Sequence, residues 1–366
     1  MMNSELLARI KLMLIPGIGP TLARHLITYA DSAENLFRFS HQDLLQIPGL
    51  GTVVSKELLK HKQYESRAED ELKFIDKHGV KVLEFDQDDF PYRLNQCDDG
   101  PLMLFTKGNM DLNAHRMISV VGTRKATSYG KNFIEELCEL LQPYQIKLVS
   151  GLAYGTDIHA HKSCLKNNIP TYGVVAHGLD RLYPAAHKSY AKEMLKNEGG
   201  LITEFLCNTN PDRENFPKRN RIIAGLCDAT IVTEAAEKGG ALITGNLAFD
   251  YGRDVFALPG KRSDEFSQGC NRLIKSNKAQ LLDSVEDLVK AMDWEELDKG
   301  QQLDLFVDLN EQEKKVIDLL RAGKSFVDDI GICLQMSFAQ TQAFLFQMEM
   351  NGWIRQIPGN RVELRR

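Results

Sequence analysis

Ile118-Ser119-Val120-Val121-Gly122-Thr123-Arg124-Lys125-Ala126-Thr127 is the stretch from which the chain is best read. Its first four residues suit a short buried strand, Gly122 breaks the run, and a basic turn rich in hydroxyls leads into an amphipathic helical stretch, Tyr129–Leu141. The same cadence repeats up to Lys290. Strand-like runs fall at Ile118–Val121, Lys147–Ser150, Thr171–Ala176, Leu201–Glu204, Ala229–Thr233 and Val255–Leu258. The clearest helices between them are Tyr129–Leu141, Asp157–Lys166, Ser189–Asn197 and Leu242–Tyr251. Alternation of this kind builds a parallel sheet with helices on both faces. The expected fold class is therefore α/β, a Rossmann-like doubly wound parallel sheet.

In such a sheet ligands bind beyond the carboxyl ends of the strands, so the loops after the strands carry the functional information. In the first loop, Gly122 lets a ligand approach the backbone, Thr123 and Thr127 offer hydroxyls, and Arg124, followed by Lys125, brings a permanent charge suited to phosphate. An exposed surface arginine is the plainer alternative for Arg124. Neither G-x-G-x-x-G nor G-x-x-x-x-G-K-[ST] is present, so the loop matches neither a dinucleotide site nor a P-loop. The second loop, Ser150-Gly151-Leu152-Ala153-Tyr154-Gly155-Thr156-Asp157, reads as a second anion nest, with Thr156 or Asp157 as N-cap of the next helix. Asp157 and His161 share a helix face; a cap and a packing histidine explain them more simply than a metal or acid–base pair, since no third ligand is evident.

The most basic segment is Asn215-Phe216-Pro217-Lys218-Arg219-Asn220-Arg221, expected to precede an apolar helix at Ile222–Leu226. Three cations beside an aromatic ring suit an extended nucleic-acid strand, with charges to follow phosphates and a ring to stack a base. The alternative is a solvated helix start, although cations there oppose the helix dipole. Lys261 and Arg262, after Leu258-Pro259-Gly260, extend the positive rim.

Outside this core, residues 1–64 read as a helix-hairpin-helix module with an internal repeat, Ile15-Pro16-Gly17-Ile18-Gly19-Pro20 and Ile47-Pro48-Gly49-Leu50-Gly51-Thr52. Gly17, Gly19, Gly49 and Gly51 would leave bare N–H groups at helix starts, suited to DNA phosphates, or would serve a plain helical scaffold. Residues 65–292 form the extended Rossmann-like domain, in which Val80–Phe85 and Leu102–Phe105 read as lead-in strands. A polar linker, 293–308, precedes a winged-helix domain, 309–366: Glu311–Arg321, Phe326–Leu334 and Ser337–Met350 as helices, then Trp353–Gln356 and Arg361–Leu364 around a Pro358-Gly359-Asn360 turn. Its last helix carries Glu349 and no lysine or arginine, so the domain is expected to contact protein rather than a DNA groove, with Arg355, Arg361, Arg365 and Arg366 in the wing as the remaining cations.

Composition sets the outer limits. With 366 residues, 43% of them hydrophobic, the chain can fill two or three domains. A net charge of −5 excludes a generally basic nucleic-acid coat and confines DNA contact to a local patch. No apolar run reaches the ~20 residues of a membrane span and no signal peptide is evident, so a cytoplasmic protein without membrane contact is expected. Seven scattered cysteines without C-x-x-C spacing read as reduced thiols, not as metal ligands.

Taken in order, these motifs resemble the DprA/Smf family of DNA-processing proteins from about Pro91 to Leu282. The resemblance rests on Val121-Gly122-Thr123-Arg124, Ser150-Gly151-Leu152-Ala153, Asp157 with Ala160-His161, Gly178-Leu179-Asp180 with Tyr183-Pro184, Phe216-Pro217 with Arg219-Asn220-Arg221-Ile222-Ile223-Ala224, Gly252 to Gly260, and Gly269 with Asn271 and Leu273-Ile274. It implies a Rossmann-like core that binds single-stranded DNA in a positive pocket whatever its sequence, dimerises through the same core, and loads RecA during natural transformation, with single-strand-binding protein as a further partner. Arg124 matches the family's strand-end arginine, and Phe216, Lys218 and Arg219 match its F-P-x-R-N-R segment. No catalytic residue, cofactor or metal is implied. The sequence departs from the family at Tyr154 and Thr156, at Gly240-Ala241 and at His187.

Two enzymatic readings compete. LOG-type phosphoribohydrolases share a similar fold and carry P-G-G-x-G-T-x-x-E, but this chain has Glu237-Lys238-Gly239-Gly240-Ala241-Leu242 there. A nuclease needs clustered carboxylates, whereas Asp157, Asp180, Glu204 and Glu234 follow different strands.

Overall fold

The computed structural model describes residues 4–295, 310–321, 325–351, 353–357 and 360–364. Residues 296–308 of the expected linker, the expected turn residues Pro358 and Gly359, and Arg365 and Arg366 lie outside the described residues. The chain divides into two compact units, Met1–Trp294 and Glu295–Arg366.

The first unit opens with six helices: α1 (Ser4–Leu14), α2 (Pro20–Ala30), α3 (Ala33–Leu36), α4 (His41–Leu45), α5 (Thr52–Leu59) and α6 (Glu65–His78). The sequence repeat is also a conformational one. Gly17 and Gly49 take φ of +84° and +80°, which a side chain would resist, while Gly19 and Gly51 cap the extended entries to α2 and α5. Ile10, Leu12, Leu26, Leu36 and Leu58 are buried, each contributing about 1.5–3 kcal/mol of hydrophobic stabilisation. That core also takes in Met103, Phe105 and Leu206 from the sheet region, so the helices and the sheet belong to one packed body.

The sheet is built from β1 (Lys81–Glu84), β2 (Met103–Gly108), β3 (Met117–Val121), β4 (Lys147–Ser150), β5 (Thr171–Val174), β6 (Gly200–Thr203), β7 (Ala229–Val232), β8 (Asp254–Ala257) and β9 (Gln280–Leu281). Between them run α7 (Tyr92–Asn95), α8 (Ser128–Leu141), α9 (Thr156–Lys166), α10 (Lys188–Met194), α11 (Asn215–Leu226), α12 (Gly240–Asp250), α13 (Gln268–Lys275) and, after β9, α14 (Val285–Ala291). The strand order is β1-β2-β6-β5-β4-β3-β7-β8-β9. All pairs from β6 to β9 are parallel, and β1 and β2 extend the β6 edge antiparallel. From β3 the chain winds one way through β4, β5 and β6, then returns to β7 on the other side, which gives the Rossmann-like doubly wound arrangement and a switch point between β3 and β7. The strands read as continuous apolar runs because both faces are covered. In α8, for example, Phe133, Ile134, Leu137 and Leu141 form the buried stripe on one side.

One expectation fails in an instructive place. The basic segment does not precede a helix starting at Ile222; it is the first half of α11, which begins at Asn215. Tolerance of proline in the first helical turn explains why Pro217 does not delay the start.

The second unit holds α15 (Glu311–Arg321), α16 (Val327–Leu334), α17 (Phe338–Met350) and an antiparallel pair, β10 (Ile354–Ile357) and β11 (Arg361–Leu364). Ser337 and Gln340 form a capping box at the start of α17. Val316, Ile317, Val327, Ile330, Leu345, Met348, Ile354 and Val362 make a separate core. Among the described residues no helix is long and apolar enough to cross a membrane. All seven cysteines are free thiols.

Candidate nucleic-acid interface

The carboxyl ends of β3, β4 and β5 and the start of α11 frame a pocket lined by Arg124, Gly151, Ala153, Tyr154, Val175, Ala176, His177, Tyr183, Pro184 and Phe216. Phe216 is its centre. The Arg124 guanidinium carbon lies 5.3 Å from the Phe216 ring centroid and that of Arg219, one turn along α11 from the ring, lies 5.9 Å away. Tyr183 meets the same ring edge-on at 6.3 Å between centroids.

Helical geometry sorts the basic segment. At 3.6 residues per turn, Phe216 and Arg219 share a side of α11 while Lys218 and Arg221 diverge from it. Arg219 is 4% exposed and donates from Nη1 to the carbonyls of Gly151 (2.7 Å) and Val174. The expected surface phosphate contact is a buried side chain that ties the loop after β4 to the end of β5. Burial pulls its pKa down to about 10, with Asp157 opposing the shift and Arg124 adding to it. Asp157 is buried too; desolvation raises its pKa, and Arg219 and the N–H groups of Ala153 (3.3 Å) and Gly151 work against that. These two N–H groups were expected to hold an external anion. They hold Asp157, so the second loop's nest is filled from within. A Cβ on Gly151 would overlap both Arg219 and Asp157, which is why only glycine fits there.

Arg221 points elsewhere, to the Glu204 carboxylate and the Asp99 carbonyl, and its charge is spent in the fold. Burial raises the Glu204 pKa against the pull of Arg221. Lys218 is exposed and Asn220 half-buried. Arg124 and Lys125 are exposed on the loop after β3, whose conformation is secured by hydrogen bonds from Thr123 N–H to Glu234 O (2.7 Å) and from Lys125 N–H to Thr123 Oγ1 (3.2 Å). Gly122 backs onto Thr156, leaving no room for a Cβ. Lys261 and Arg262 are exposed after β8, two strands from β3 at the same edge of the sheet. Gly17, Gly19, Gly49 and Gly51 are exposed in the helical module, and none of them lines the pocket.

Neither Thr156 nor Asp157 caps α9; the cap position falls to Gly155. His161 is fully buried and its Nδ1–H donates to Thr171 Oγ1 (2.7 Å), whose hydroxyl donates onward to the Leu148 carbonyl. Burial drives its pKa down to about 3, so the ring is neutral. Among the described residues no cluster of three metal-ligating side chains occurs. Of the aromatic lining, Tyr183 and Tyr154 enter the sequence reading only as a motif residue and as a departure from the family, and His177 not at all; no periodicity marks residues that meet from three loops. Two of the sequence departures meet here, since Tyr154 packs edge-on against His187 at 4.8 Å.

Residues 81–293 match the family model described as DNA recombination-mediator protein A. Protein Smf of Escherichia coli is 31% identical over 307 residues, covering 81% of each chain. The DNA processing protein DprA of Streptococcus pneumoniae is 39% identical over 207 residues, 57% of this chain and 72% of the relative. Its X-ray structure resembles this fold with a TM-score of 0.65, covering 79% of this chain and 98% of that one. DNA processing protein A of Helicobacter pylori, whose structure was described for its single-stranded DNA binding mode, aligns with a TM-score of 0.53 at 26% identity, over 59% of this chain and 97% of that one.

Proposed function

The chain belongs to the DNA recombination-mediator protein A family, and on that footing we propose that it binds single-stranded DNA without sequence preference and helps RecA assemble on it, acting without catalysis of its own. The observation that carries the reading is the meeting of Arg124 and Arg219 at the Phe216 ring, on an otherwise acidic protein. A ring that stacks any base, beside a permanent charge for the phosphate, is a sequence-tolerant device. Arg124, Lys125, Lys218, Lys261 and Arg262 follow the phosphates along the strand ends, while Arg219 and Asp157 brace the loop of Gly151 and Ala153. The hairpins around Gly17 and Gly49 are a secondary backbone contact. A homodimer through the Rossmann-like domain and a contact with single-strand-binding protein belong to the same reading. In a filament-assembly assay, RecA should form on DNA already coated with single-strand-binding protein when this chain is added. No stimulation, with DNA binding intact, would remove the RecA part of the proposal.

A further inference from the structure

At the switch point between β3 and β7 a doubly wound sheet ordinarily seats a ligand phosphate against the N-terminus of the first helix. Here that place is taken by the chain itself. Glu234, just beyond β7, is 4% exposed. Its Oε2 accepts from the Thr127 N–H at 2.9 Å and its Oε1 from the Thr127 hydroxyl at 2.6 Å. Thr127 is the N-cap of α8 and its own side chain makes no capping bond; the Glu234 carboxylate instead holds that residue by its backbone N–H and its hydroxyl. It lies so close to the first turn that a Cβ on Gly130 would collide with it. The same residue's carbonyl accepts from Thr123 N–H at 2.7 Å, so residue 234 grips both ends of the loop that carries Arg124 and Lys125. Asp157 fills the neighbouring nest facing Arg219; the bonds of Glu234 run instead to a helix start, as those of a bound phosphate would.

We propose that Glu234 is a built-in surrogate for a phosphate group, a positioning residue that holds the Arg124 loop for a polynucleotide and denies the switch point to free nucleotides. This rests on the single-strand reading above for the role of the loop, though not for the role of the carboxylate.

The test uses the full chain with Glu234→Ala, and inorganic phosphate as the probe. Because phosphate stabilises folded proteins in general, the comparison is of increments: the rise in melting temperature from sodium chloride to sodium phosphate of matched ionic strength should be larger for Glu234→Ala than for the parent, and an equal rise overturns the proposal. If Glu234→Ala is unfolded in chloride, Glu234→Ser replaces it, and a rise in phosphate no larger than the parent's overturns the proposal. In the second arm, Glu234→Ala should bind oligothymidylate about fivefold more weakly than the parent in chloride, the worth of a lost hydrogen bond to a charged group, and that deficit relative to the parent should shrink in phosphate. Undiminished affinity in chloride would overturn the positioning role. A parent that fails to bind oligothymidylate would defeat the single-strand reading, while the melting comparison would still decide what Glu234 does.

Discussion

Two basic stretches of similar appearance, Thr123-Arg124-Lys125 after β3 and Lys218-Arg219-Asn220-Arg221 in α11, meet different fates in the fold. The loop after β3 leaves both its cations in solvent. The helix turns Arg219 beneath the strand ends and sends Arg221 to Glu204, so that of its three cations Lys218 alone is fully exposed. The difference teaches that a run of charge says how much charge is present, while the backbone under it decides how much reaches a ligand. In the loop, the strand-end glycine and the ties to residue 234 hold the side chains outward. In α11, successive side chains diverge by about 100°, and a buried carboxylate stands in the path of one of them.

The largest effect should come from Arg219→Ala, which leaves Asp157 without its nearby cation and the Gly151 and Val174 carbonyls without their donor. Breaking a buried charge relation of this kind costs about 3–5 kcal/mol, read as a fall in urea stability of the first unit. A loss below about 1 kcal/mol would mean that the arginine behaves as a surface cation after all. Phe216→Ala should weaken binding of oligonucleotides of any sequence by about 1–3 kcal/mol, and Phe216→Tyr should retain most of it. Unchanged affinity in the alanine variant would make the ring part of the scaffold. Arg124→Ala should leave stability within about 0.5 kcal/mol of the parent. It should also flatten the log–log salt dependence of binding by ~0.7, the share of one single-strand phosphate. Arg221→Ala sharpens the contrast, because its salt dependence should match the parent's. Equal slopes for the two variants would erase the distinction between loop and helix. The smallest effect is expected from removing residues 295–366, a unit with its own core and no lysine or arginine on α17: single-strand affinity should stay within about twofold, less than 0.5 kcal/mol.

Much of the architecture was legible in advance. The alternation of short apolar runs with amphipathic stretches specifies a parallel sheet because each element must bury one face or both, and β3 to β8 start and end within two residues of the expected strands, whereas β2 runs three residues past its expected end and the two-residue β9 was not expected. The paired Pro-Gly-x-Gly turns were legible for a similar reason, since positive φ at Gly17 and Gly49 is a local demand that sequence states directly. The start of α11 was not, because cations and a proline argue locally against a helix that tertiary contacts then stabilise.

What the amino-acid order determined by itself was the fold class, the edge of the sheet at which the candidate site lies, and the residue types gathered there. These follow from periodicity and from the chemistry of individual side chains, both of which are local properties. What only the tertiary structure decided was which of those groups remain free. Arg219, Gly151, Ala153 and Arg221 are engaged by partners between 17 and 122 residues away or by a carboxylate folded over them, whereas Arg124, Lys125 and Lys218 stay exposed. Hydrogen bonds and ion pairs of that range depend on the closed sheet, and no reading of neighbours along the chain contains them.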